Sequence, residues 1–348
     1  MTIPCVVRIE GAEFSGFESV NIELTMDSMF NSFDLNYAGD ESGERYIYKW
    51  DECEIVAEGD TVISGFVESD DDNDGEKEVT LSAAGRSHTY DFANFAAVRD
   101  PGSWTNVTID KIAADLAAPY GIATFMDGHP GPAFPSFSIQ QGESAGETLL
   151  RAATKRALVP YCVGGDLVLA RVGSTRAPDK LVRGFPPLLS SSSASSISEL
   201  ASSYVFRGQI RPQADDFGLA DAEHVLTDEG VPRFRPLRVQ AEAGSGLDLK
   251  QRAELERNVR RGRSRVVTAI VDGWTMANGN VWRPNTLVMF DNPALRVRLE
   301  LLITTVRLSA SRDGAPRATL TMMSPAAYDS AAQLRALKRG ELWISGTY

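Results

Sequence analysis

The residues with the most chemical promise are Gly142-Glu143-Ser144-Ala145-Gly146. Their spacing is that of a nucleophile elbow, G-x-S-x-G, in which a sharp strand-to-helix turn lifts a serine hydroxyl toward an acyl substrate. The same letters contain Ser144-x-x-Glu147, a capping box whose hydroxyl and carboxylate satisfy the first free amides of a helix. A hydrolase also needs an acid and then a histidine downstream; His224 is the only later histidine, and no HGGG-type oxyanion loop is visible. The cap is the favoured reading, with a serine hydrolase using Ser144 kept as the alternative.

Asp70-Asp71-Asp72-Asn73-Asp74-Gly75 matches the first half of a calcium loop, but its twelfth position is Leu81 where a bidentate Glu belongs. The flanks read as strands, so an acidic hairpin turn is expected. Arg257, Arg260, Arg261, Arg263 and Arg265 form a basic stripe at the end of a predicted helix, where cations complement the helix dipole; a solvated face and a contact surface are both open. His88, His129 and His224 lack metal-ligand spacing, and there is no Gly-rich phosphate loop. No catalytic residue, metal or cofactor is assigned. Cys5, Cys53 and Cys162 are odd in number and far apart, which argues for reduced, buried thiols rather than a disulfide framework.

These residues need elements to position them. With 348 residues, 43% apolar and 24% charged, the chain can bury two or three domain cores. No run approaches a membrane span, and MTIPCVVRIEG lacks the basic and apolar regions of a signal peptide, so a cytoplasmic start is expected. The net charge of −12 is uneven: residues 1–80 hold 21 Asp and Glu against 4 Lys and Arg, a local −17 that leaves +5 for the rest. Such a field repels nucleic acid and disfavours its specific recognition.

Residues 1–88 read as short strands at regular spacing, the pattern of a β-barrel-like module. Residues 89–185 read as an α+β domain: a helix capped near Thr108 with Ile109, Ile112, Ala113 and Leu116 on one face, a strand at FSIQQ, a second helix from Gly142, and a hairpin turning at Gly164-Gly165. Residues 186–328 read as a second β-barrel-like module. Its serine run Ser190–Ser198 is expected to be a linker or mobile loop, its insertion 211–235 a loop or partly disordered, and 247–262 a helix. Between Arg265 and Pro325 four antiparallel strands are expected, the first two joined as a hairpin at Asn278-Gly279, with Pro284 limiting the pairing. Residues 329–348 form a C-terminal tail whose Trp343, Ile344 and Tyr348 are apolar enough to dock on a neighbour. The fold class is α+β, a discontinuous multi-domain subunit.

The order of landmarks VTLSAAGRSHTYDF, SWTNVTIDKIAADLAAPYGI, FSIQQGESAGETLLRAATKRAL, GGDLVLAR, SSYVFRGQ, VDGWTMANGNVWRPNTLVMF, LLITTVRLSAS and TLTMMSPAAY resembles the Mu-type phage tail protein family, the baseplate hub proteins of long-tailed phages. The acidic DDDND turn, the serine run and the C-terminal tail have no dependable counterpart. The resemblance spans nearly the whole chain and implies a structural hub without catalysis. It implies a homotrimeric ring, two β modules per subunit, that joins the sixfold tail tube or an adjacent distal tail protein to a trimeric central spike. A tape measure protein is a further candidate contact. It implies a virion location in the tail baseplate after assembly in the host cytoplasm, with genome DNA passing an acidic channel wall without specific binding. A receptor- or carbohydrate-binding tail module ranks last, because the aromatic residues sit inside apolar patterns.

Overall fold

A computed structural model of the chain describes residues 3–38, 47–74, 79–210, 220–240 and 249–328. The acidic first segment folds as β1 (Cys5–Ile9), β2 (Ala12–Phe14), β3 (Ser19–Thr25), β4 (Ser32–Ala38), β5 (Glu52–Ala57), β6 (Asp60–Asp74) and β7 (Val79–Ser87). A period of two sorts the side chains. In β3 Val20, Ile22 and Leu24 are buried while Asn21 is exposed; in β4 Phe33, Leu35 and Tyr37 are buried while Asp34 is exposed.

The next segment holds α1 (Thr89–Asn94), β8 (Ser103–Val107), α2 (Ile109–Ala117), β9 (Thr124–Asp127), β10 (Phe134–Ser138), α3 (Ala145–Thr154), β11 (Val159–Val163) and β12 (Asp166–Ala170). The stripe Ile109, Ile112, Ala113 and Leu116 of α2 is buried as its spacing predicts, in one core with Phe92, Phe134 and Leu149. β11 and β12 form the expected hairpin, β9 adds to β12 in parallel, and β8 pairs with β10. Helix α1, only six residues, is too short to show a period in the sequence.

The remainder forms β13 (Thr175–Val182), β14 (Leu188–Ser195), β15 (Ser203–Ile210), β16 (Ala220–Thr227), β17 (Pro236–Gln240), α4 (Leu249–Arg263), β18 (Arg265–Asp272), β19 (Thr286–Asn292), β20 (Val297–Ser311) and β21 (Arg317–Met323). A 13-stranded sheet runs β14-β18-β21-β20-β3-β4-β7-β6-β5-β1-β2, and β19 joins it by pairing with both β20 and β13.

Among the described residues this sheet closes no ring, so the two expected barrel-like modules are parts of one open sheet. The reason lies in β20, which is 15 residues long. Val297 to Ile303 pair with β19, and the surplus from Thr305 to Ser311 pairs with β3. The backbone groups of β3 are thereby used by β20 and β4 rather than by β1. One core follows from this union, with Phe33, Ile55 and Val62 from the first strands packed in the same cluster as Trp274, Trp282, Phe290 and Val306 from the last. Each such side chain contributes about 1.5–3 kcal/mol of burial.

Three further expectations are corrected. The Asn278-Gly279 turn exists, with Met276 N–H donating to Asn280 and Trp282 N–H to Trp274, but β18 and β19 do not pair as a hairpin. Pro284 has no N–H for a ladder, and Asn285 turns to φ +59° before β19 restarts. Asn285 is held there by its side chain, which donates to the Arg171 carbonyl at 2.8 Å and accepts from Gly173 N–H at 2.7 Å. Most of the serine run is strand β14, because pairing with β18 supplies the backbone bonds that its small side chains cannot. Within the insertion 211–235, residues 220–227 are strand β16, paired along its whole length with β15; residues 211–219 and the tail 329–348 lie outside the described residues.

The chain divides into two compact units, Met1–Ser192 with Val267–Met322, and Ser193–Val266 with Met323–Tyr348. The second has its own small core of Tyr204, Phe206 and Ala253, flanked by Leu226, Leu237 and Val239.

Candidate functional site

Ser144 is a helix cap. Its hydroxyl accepts from Glu147 N–H at 3.0 Å, the Glu147 carboxylate accepts from Ser144 N–H at 2.9 Å, and the hydroxyl proton goes to the Ala93 carbonyl at 2.8 Å. With both roles of the oxygen used, no base stands ready to activate it. His224, the histidine that a triad would require, lies in β16 of the other compact unit. The two glycines of the motif have mechanical reasons. Gly142 adopts φ +87°, and a Cβ on Gly146 would fall 2.8 Å from both Cα and O of Ala93, so α3 approaches the α1 backbone closely only with glycine there.

Beside the cap, Glu143 is a brace. Arg151 donates to both of its carboxylate oxygens at 2.8 Å, and Thr148 Oγ1 and Gln140 N–H add bonds of 3.0 Å each. These donors, Arg151 foremost, hold the carboxyl down at about 2, well below the usual carboxylate range. The guanidinium also lies over Phe137, 4.5 Å from the ring centre.

Four arginines of the stripe are engaged inside their own unit. Arg261 makes a two-bond pair with the fully buried Asp228, Arg260 pairs with Glu256 at 2.7 Å, Arg263 donates to the Ala327 carbonyl at 3.2 Å, and Arg265 to Ser193 Oγ at 3.1 Å. Burial pushes Asp228 up, but the Arg261 and Gly230 donors outweigh it and leave its carboxyl below normal.

Asp70 to Asp74, expected at a turn, belong to strand β6, and the turn residues 75–78 lie outside the described residues. Among the described residues no group of three or more His, Cys, Asp or Glu is placed to hold a metal. Cys5, Cys53 and Cys162 are all buried, and burial pushes the Cys5 and Cys53 thiols up to about 12.

The arrangement with functional weight is a surface. The register of β20, β3, β4, β7 and β6 lines up outward-facing rows: Arg307-Glu23-Ser32-Arg86-Phe66, then Ser309-Asn21-Asp34-Ala84-Ser69, then Ser311-Ser19-Asn36-Ser82-Asp71. Glu23 is paired with Arg307 and Glu68 with Arg86, whereas Asp34 and Asp71 face only Asn21, Ala84 and Ser82 across the strands. Short polar residues and surplus carboxylate make a wetted face with little to grip a polyanion. Sequence reasoning located the acidic segment; the rows required the register, which depends on β20 reaching β3.

Sequence profiles of three domain families match this chain: Mu phage baseplate assembly protein GpP-like, N-terminal, at residues 5–87; baseplate hub protein gp44-like, second domain, at 89–171; and Mu phage baseplate assembly protein GpP, fourth domain, at 245–331. The baseplate hub protein gp44 of Escherichia phage Mu is 30% identical over 328 residues, 88% of this chain and 84% of its own. The 43 kDa tail protein of prophage MuSo2 from Shewanella oneidensis superposes with a TM-score of 0.82 at 25% identity, covering 94% of this chain and 99% of that one. A tail protein from Neisseria meningitidis MC58 shares the fold, with a TM-score of 0.79 at 20% identity over 96% and 99% of the two chains. Identity and coverage of this extent, over the same β and α+β segments, place the chain in the Mu-type baseplate hub family of phage tail proteins.

Proposed function

We propose that this hub protein forms a homotrimeric ring that joins the sixfold tail tube to the threefold central spike and lets genome DNA through. Residues 1–88 and 186–328 act as the two β regions that each subunit gives to the ring, residues 89–185 sit outside it, and residues 329–348 contact a neighbour. The observation that carries the reading is the acidic sheet face. Rows of Ser, Asn and Asp on β3, β4, β6 and β7 suit a channel wall, where phosphate is repelled and the arginines of the face, Arg307 and Arg86, are paired with Glu23 and Glu68. The role is structural rather than catalytic, since the one nucleophile motif is engaged as a helix cap. Spike and tail tube are the partners, in the virion baseplate, after assembly in the host cytoplasm.

Neutralising Asp34 and Asp71 to Asn, in otherwise intact phage, tests the wall. Particles that assemble normally but deliver DNA more slowly are expected. Unchanged delivery would remove the face from the channel. Co-purification of the wild-type chain with the spike and tail tube proteins tests the joint itself, and failure to bind either would overturn it.

A further inference from the structure

Trp50 is 84% exposed and Tyr48 51% exposed, on a turn whose backbone is fixed rather than loose. Trp50 N–H donates to Val67 O at 2.8 Å, Val67 N–H returns to Asp51 O at 2.9 Å, and the Asp51 carboxylate accepts from Tyr48 N–H at 2.8 Å. Trp50 also holds φ +78°, a conformation unfavourable for a side chain with a Cβ. A large ring left in water on a strained, braced turn is prepared for contact. Its surroundings specify the partner: Phe66, partly exposed, lies cross-strand from Glu52, and the four carboxylates Asp51, Glu52, Glu54 and Glu68 outnumber the two arginines Arg8 and Arg86 that pair with Glu54 and Glu68. The mate must be apolar at its centre and basic around it.

Such a surface exists on the same chain. Phe185 and Leu189 are 64% and 52% exposed after β13. Register places Val182 beside Asp291 and Asp291 beside Arg298, whose 78% exposed side chain pairs with Asp291 at 3.3 Å; with the exposed Lys180 and Arg183 this edge keeps a surplus of positive charge. In sheet order six strands, β6, β7, β4, β3, β20 and β19, stand between β5 and β13. One copy therefore presents both a knob and its complement on separate strands, the condition for a head-to-tail contact. We infer that the Tyr48–Asp51 turn docks on a second copy of this chain, with Trp50 seated against Phe185 and Leu189, and Glu52 facing Arg298. The inference rests on the ring reading and names the surfaces that close it.

The test is the native mass of the full chain across a concentration series, by mass photometry, with thermal unfolding as a control for folding. Trp50→Ala is expected to raise the dissociation concentration at least tenfold with an unchanged Tm. Glu52→Arg and Arg298→Glu each weaken association, and the double variant restores it. As a second readout, Trp50→Cys chains mixed with Phe185→Cys chains form a disulfide between copies on mild oxidation, the natural thiols being buried. A wild type that associates while all three variants associate equally well, without cross-linking, overturns the docking assignment and leaves the ring reading standing. A wild type that stays monomeric at every concentration, also with the spike and tail tube proteins present, and without cross-linking, overturns both.

Discussion

Ser144 and Ala93, 51 residues apart, are tied by a hydrogen bond of 2.8 Å from the serine hydroxyl to the alanine carbonyl. That bond, together with the reciprocal Ser144 and Glu147 cap, joins α3 to α1. Replacing Ser144 with Ala removes the cap and leaves the Ala93 carbonyl without its donor, a loss of about 1–3 kcal/mol by chemical denaturation. No acyl-transfer activity is lost, and a fluorophosphonate probe labels neither the wild type nor the variant. Labelling of Ser144 alone would reinstate the hydrolase reading.

Gly146 is a packing residue, so Gly146→Ala should destabilise although alanine is the better helix former. The added methyl lies 2.8 Å from the Ala93 backbone, and backbone yields less readily than a side chain. Overpacking of this kind costs about 1–3 kcal/mol, more than the roughly 1 kcal/mol of helix propensity gained. A variant as stable as the wild type in urea would show that the helices can part freely.

The Glu143 brace sets a pH dependence whose sign follows from its depressed carboxyl. In the unfolded chain this group titrates in the ordinary carboxylate range near 4.5, and in the fold at about 2. Its stabilisation is therefore present above the unfolded value and is lost as pH falls toward about 2. Arg151→Met should lower stability by about 1.5–3 kcal/mol at pH 7. The gap from the wild type should hold constant between pH 6 and 8, narrow below about 4.5, and nearly vanish near 2. A gap that does not change over this range would assign Arg151 to packing on Phe137 instead.

Much of the local structure was legible because it depends on neighbours in sequence. The period of two in β3 and β4, the stripe of α2, the Gly164-Gly165 hairpin and the Ser144 box each need only a few adjacent residues. Pairings settled at long range were not legible. Nothing near Thr305 announces that β20 will outrun β19 and take β3, some 280 residues earlier, so that the two expected barrel-like modules share one sheet that closes no ring among the described residues. Serine-rich β14 and polar β16 carry no apolar alternation, so only their partners β18 and β15 make them strands. Of the candidate surface, the acidic bias showed in the sequence, while the rows of Asp34 and Asp71 and the exposure of Trp50 came from register and turn geometry.

The central claim, a ring of three subunits, is tested most directly by the native mass of the purified full chain, with class averages of the same particles. A species of three times 37.8 kDa with a central hole is the predicted result. A monomer or dimer that persists at high concentration and in the presence of the spike and tail tube proteins would contradict it.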